Sequence, residues 1–85
     1  MNLWVKVIKD EKIIKDTVIK NNLALTRQNL EKTLQEVCHF LDQPTPIMLT
    51  SHFDNIDKFN FIKFRPADFA ETVYFDHLFI ESFSN

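Results

Sequence analysis

The chain of 85 residues contains no glycine. Glycine supplies backbone at positive φ and lets the backbone approach a ligand closely. Its absence removes the P-loop, the dinucleotide fingerprint, the nucleophile elbow and the EF-hand turn together. Left-handed turn positions then fall to Asn or Asp, with Asn21-Asn22, Asn55 and Asn60 as candidates. Cysteine is almost as scarce: Cys38 alone makes no internal disulfide and fits a reducing compartment. No apolar run reaches the length of a membrane span, and no apolar run follows a basic opening. The expected location is therefore the cytoplasm, with no membrane partner. A net charge of −2 exerts no global pull on nucleic acid.

What is present describes one folded domain over residues 1–85. A composition of 45% hydrophobic and 26% charged residues has the apolar content a core needs and argues against disorder. A domain this short has a thin stability margin, so its core must be efficiently filled. Nine Phe supply much of that volume, and all but Phe40 lie after residue 50.

Thr26 to Asp42 is the best-specified stretch. Leu30, Leu34, Val37, Cys38 and Leu41 recur at the spacing of an amphipathic helix. Thr26 suits the N-cap, and Leu25 with Leu30 has the spacing of a hydrophobic staple. Asn29 stands where a capping box prefers Glu or Gln. Arg27–Glu31 and Lys32–Glu36 are i,i+4 pairs of a solvated face. Asp42-Gln43-Pro44 ends the helix, since residues before proline avoid the α region.

Leu3–Lys9 and Lys12–Lys20 read as two strands of a hairpin. Asp10-Glu11 is a poor pair for the mirror-image two-residue turns, so a type I turn over a four-residue loop is predicted. Leu3, Val5 and Val7 would share one face, and Trp4, Lys6 and Ile8 the other. Neither face is purely polar, which leaves open which one meets the helix. Further on, Pro46–Thr50 is a brief strand candidate. Ser51–Asp54 begins a short helical turn carrying Phe53 and Ile56, and Phe59–Phe64 reads as a strand. Pro66–Ala70 reads as one helical turn with Pro66 at its first position. Thr72–Phe83 reads as a strand bent near Asp76. Strands on both sides of one helix, with connections too short for repeated βαβ crossovers, predict α+β. The expected architecture is a mainly antiparallel sheet of four or five strands, with one long amphipathic helix packed on one face.

The segments LWVKVIKD, LTRQNLEKTLQEVCHFLD, PIML and RPADFAETVYFDHLFIE resemble a family of short bacterial proteins of unknown function. The resemblance spans nearly the whole chain, and its most specific parts are the helix and the DFAETVYFDHLFIE tail. The family's pattern has glycine near position 60, where this chain carries Asn60. The resemblance implies a small bacterial cytoplasmic domain, and it transfers no activity, cofactor or site residue.

Catalytic and metal chemistry find little support. His39, His52, His77 and Cys38 fit no CxxC, HExxH or HxxxH spacing, and Cys38 lies on the apolar stripe as a small core residue. Capping explains Asp54 and Asp68, and no acid–base pair stands out among Asp57, Glu71, Asp76 and Glu81. The expectation is a non-enzyme with no metal and no cofactor.

Two binding readings remain. In the last strand Val73, Phe75, Phe79 and Phe83 would share one side, with Leu78 and Ile80 on the other. A strand apolar on both sides is covered on both or docks a partner. Tyr74, Phe75, Phe79 and Phe83 are thus the candidate protein-interaction residues, for an unidentified protein or a second copy. The alternative is a nucleic-acid-binding regulator tracking phosphates with Lys6, Lys9, Lys12 and Lys15 of the hairpin. Residues 1–32 hold seven basic and four acidic groups, and residues 33–85 three and eight, so the basic charge gathers on the hairpin half. The rings lie mostly in the acidic half, apart from those lysines, which weakens this alternative. Exposed hairpin lysines also serve simply to discourage edge-to-edge pairing.

Overall fold

The computed structural model describes residues 2–20 and 26–83. Among them the chain forms β1 (Asn2–Lys9), β2 (Lys12–Lys20), α1 (Arg27–Phe40), α2 (Thr50–Phe59), β3 (Phe61–Phe64) and β4 (His77–Phe83). The strands make one antiparallel sheet in the order β2-β1-β4-β3, an α+β arrangement. Its central strands, β1 and β4, lie far apart in sequence.

The hairpin turn differs from the predicted type I loop. Lys9 pairs with Lys12, leaving a two-residue turn in which Asp10 (φ 53°) and Glu11 (φ 65°) are both left-handed. Positive φ at both central residues is the signature of the I′ turn, whose twist matches that of the strands. The sheet's twist therefore overrides the residue preference, and Glu11 takes a position expected of Asn or Asp. A register shift after Val7 leaves Ile14 as the extra residue of β2. This bulge returns Ile13 to the face of Ile8.

Helix α1 starts as predicted: the Thr26 hydroxyl accepts from the Asn29 N–H at 3.2 Å. The proposed staple through Leu25 lies outside the described residues. The helix ends on more than its prolines. Asp42 is left-handed at φ 57°, and the N–H groups of Asp42 and Gln43 donate to the carbonyls of His39 (3.1 Å) and Cys38 (2.8 Å). That is a Schellman termination with Asp in the place of glycine.

Pro46–Thr50 is not a strand. Pro46 has no N–H for a ladder, and the Ile47 N–H donates instead to the Asp68 carbonyl at 2.8 Å. Arg27 holds this segment through the Met48 carbonyl and the Thr50 hydroxyl, both at 3.0 Å. The turn expected at Ser51–Asp54 is a full helix, α2. At its first turn the Leu49 N–H donates to His52 Nδ1 at 2.9 Å, the reach-back of a capping box. Phe59 belongs to that helix, and Asn60 ends it at φ 67°. Pro66–Asp68 is a single 3-10 turn. The last strand begins at His77, not Thr72. The Asp76 N–H donates to the Ile8 carbonyl at 2.8 Å, and β1 ends at Lys9 with Asp10 already in the turn, so β1 offers the chain before Asp76 no further residues to pair with.

One sheet face is buried. Leu3, Val5, Val7, Ile62, Phe64, Leu78 and Ile80 share it by register. They belong to one apolar cluster with Leu30, Leu34, Val37 and Cys38 of α1, Ile56 of α2, and Phe69 and Phe75. No buried side-chain nitrogen or oxygen among the described residues lacks a hydrogen-bond partner.

Candidate functional site: the open face of the sheet

The other face carries Trp4, Lys6 and Ile8 of β1 and their register mates, and none of these residues is buried. Pairing arranges them in rows across the four strands. One row runs Asp16–Lys6–Phe79–Lys63, and the next Val18–Trp4–Glu81–Phe61.

Lys6 is the hub of this face. Its ammonium lies 3.8 Å from the Trp4 ring centroid and 4.7 Å from that of Phe79, and 3.4 Å from Glu81 Oε1. The rings take up the aliphatic stem while the cation meets their faces, so only 11% of the side chain is exposed. Phe79 stacks on Phe61 at 5.3 Å and 11°, a favoured offset geometry for ring pairs. Trp4 Nε1–H donates to Asp16 Oδ2 at 2.9 Å. His77 meets Phe79 edge-on at 6.3 Å. Its pKa is lowered, first by partial burial and then by the Lys63 cation, with Asp76 opposing.

The four candidate protein-interaction residues do not form one surface. Phe79 and Phe83 lie on the open face, opposite Leu78 and Ile80, as the alternation of β4 predicts. Tyr74 is 83% exposed but precedes the strand. Phe75 is a core residue, 5% exposed and edge-on to Phe69 at 5.4 Å. The strand's late start takes Val73 and Phe75 out of the alternation that was to align them with Phe79.

The lysines divide as well. Lys6 is on the open face, whereas Lys15 faces the other way and donates to the Leu41 carbonyl at 3.1 Å. Lys9 and Lys12 pair at the hairpin tip, on the same side as Lys15. Alternation along β1 parts Lys6 from Lys9, the bulge at Ile14 puts Lys15 on the side of Lys9 and Lys12, and no continuous basic ribbon results. The expectation that rings and lysines lie apart is also corrected, because Phe79 sits between Lys6 and Lys63. Trp4, Phe61, Lys63, Asp16 and Glu81 were missed as site residues. Period-two alternation marks their faces within each strand, but only cross-strand pairing brings them together.

The remaining titratable groups have structural partners or stand alone. Burial pushes the Cys38 thiol up to about 11, against a hydrogen bond from Thr45, which makes it an inert core residue. His52 is buried, tilted on Phe64 at 4.6 Å and 3.6 Å from Asp68. Asp68 Oδ2 also accepts the Arg65 N–H at 2.8 Å, a capping role. Among the described residues no three His, Cys, Asp or Glu side chains gather as a metal site would require. No helix among them is long and apolar enough to cross a membrane. Comparison with known proteins found no matching family model, no matching curated protein and no matching solved structure.

Proposed function

We propose that this chain is a small non-enzymatic protein-interaction module working through the open sheet face. In this reading α1 and α2 close the other face, so that Trp4, Phe61, Phe79 and Phe83 stay presented to a partner. The observation that carries it is the lattice of contacts around Lys6. Three rings and a cation are held in mutual register with nothing buried over them, and aromatic residues on a rigid platform are the usual anchors of protein interfaces. The test combines native mass spectrometry over a concentration series with in-cell cross-linking, for the wild type and a Phe61→Thr, Phe79→Thr variant. Threonine keeps strand propensity, so circular dichroism should be unchanged while association is lost. Associations untouched by these substitutions would refute the reading.

A second reading has one observation in its favour. Phe79 between Lys6 and Lys63 resembles the alternation of ring and cation on surfaces that bind single-stranded nucleic acid. Glu81 and Asp16 on the same face oppose it, since each offsets a lysine. Binding of a fluorescent oligonucleotide at low salt that weakens steeply as salt rises would favour this reading.

A further inference from the structure

The charges of the open face are arranged by position across the sheet as well as by number. In the row Asp16–Lys6–Phe79–Lys63, an anion stands on one outer strand and a cation on the other. Rotation by 180° about an axis parallel to the strands, above the seam of β1 and β4, exchanges β2 with β3 and β1 with β4. The row then faces its own reverse. Asp16 of one copy lies opposite Lys63 of the other, and Lys6 opposite Phe79. In the next row Val18 lies opposite Phe61, and Trp4 opposite Glu81. In these two central rows each pairing is attractive, apolar or cation on ring, except that Trp4 meets a carboxylate already engaged with Lys6.

We propose that the occupant of the open face is a second copy of this chain, seated face to face about a two-fold axis along the strands, with Asp16 of each copy opposite Lys63 of the other. This rests on the open face being the working surface. Such an interface is isologous, each contact occurring twice. Aligned sheets cross at about 30°, which displaces a strand ~7 Å from the axis by roughly 4 Å given strand spacings of about 4.8 Å. A lysine side chain spans that offset. The face measures on the order of 400 Å² in projection from the strand spacing and rise, less than the ~800 Å² per partner of a standard stable complex. The dimer is accordingly expected to be weak and reversible.

Sedimentation equilibrium over a concentration series tests it, using the wild type, Asp16→Lys, Lys63→Asp, the double variant and an equimolar mixture of the two single variants. Each single reversal places like charges opposite each other twice and should weaken self-association about tenfold or more. The double variant restores opposite charges and should recover it. The mixture should form a mixed dimer tighter than either single variant alone, because both contacts are then attractive. Asp16→Asn, which keeps an acceptor for Trp4 Nε1, serves if the reversal perturbs the fold and should weaken pairing less than Asp16→Lys. A wild type that stays monomeric to millimolar concentration overturns the proposal. So does association indifferent to the single changes, or a mixture no tighter than its components. A monomer that still loses a different protein on Phe61→Thr, Phe79→Thr overturns the second copy alone. A monomer with no association sensitive to those rings overturns the interaction reading as well.

Discussion

The Asp76 carboxylate accepts the backbone N–H of Asp10 at 2.8 Å, across 66 residues of sequence. With the bond from the Asp76 N–H to the Ile8 carbonyl, this ties the chain entering β4 to the hairpin tip. It also explains how a turn without glycine or asparagine is held. Asp76→Ala should destabilise the fold by about 1.5–3 kcal/mol, the usual contribution of a hydrogen bond to a charged group. Asp76→Asn should cost less. Urea denaturation measures both.

Glu11 holds φ at 65° with a Cβ in the way. The left-handed region costs a non-glycine residue roughly 1 kcal/mol, so Glu11→Gly should raise stability by up to about 1 kcal/mol despite its greater unfolded-state freedom. A lowered melting temperature would show that the Glu side chain contributes more than the strain it brings.

Leu34 is 2% exposed on the α1 stripe. Leu34→Ala should cost about 2–4 kcal/mol by transfer and cavity terms. Thr26→Ala removes the N-cap acceptor and should cost about 1 kcal/mol. The two sites are separate in the helix, so a double variant should show additive losses by denaturant titration.

His52 serves α2 twice, accepting the Leu49 N–H and packing on Phe64. His52→Ala should cost about 2–3 kcal/mol, combining a lost bond with lost ring packing. His52→Gln, whose amide oxygen can accept the same N–H, should recover part of that. Equal losses for the two would assign the whole effect to packing.

His77 has a folded pKa below its ordinary value, so the unfolded chain takes up its proton first as pH falls. Its contribution to stability is present above the unfolded value near 6.5 and is lost as pH drops through the folded one. Melting temperature should fall between pH 7.5 and 5.5, and His77→Gln should reduce that fall. An identical pH dependence in the variant would assign it to other groups.

The α1 helix, its Thr26 cap, the span of β2 and the α+β class were legible because each follows from residues within a few positions of one another. Hydrophobic period, a capping hydroxyl and alternation act locally. The late start of β4 was not legible. Phe75 looks like a strand residue until Asp76 is seen bonded to a turn 66 residues away. The Ile14 bulge and the I′ turn were equally hidden, because sheet twist, acting on both strands at once, outweighed the weak preferences of Asp10 and Glu11. The sequence by itself marked one amphipathic helix and a hairpin in a glycine-free, α+β chain, and showed only a turn where the second helix, α2, forms. Only the tertiary structure decided that Trp4, Lys6, Phe61, Lys63 and Phe79 would share a face. Strand order and register are set by long-range pairing, and a shift of one residue in any one of β1, β3 or β4 would send that strand's side chains to the other side and break up the group.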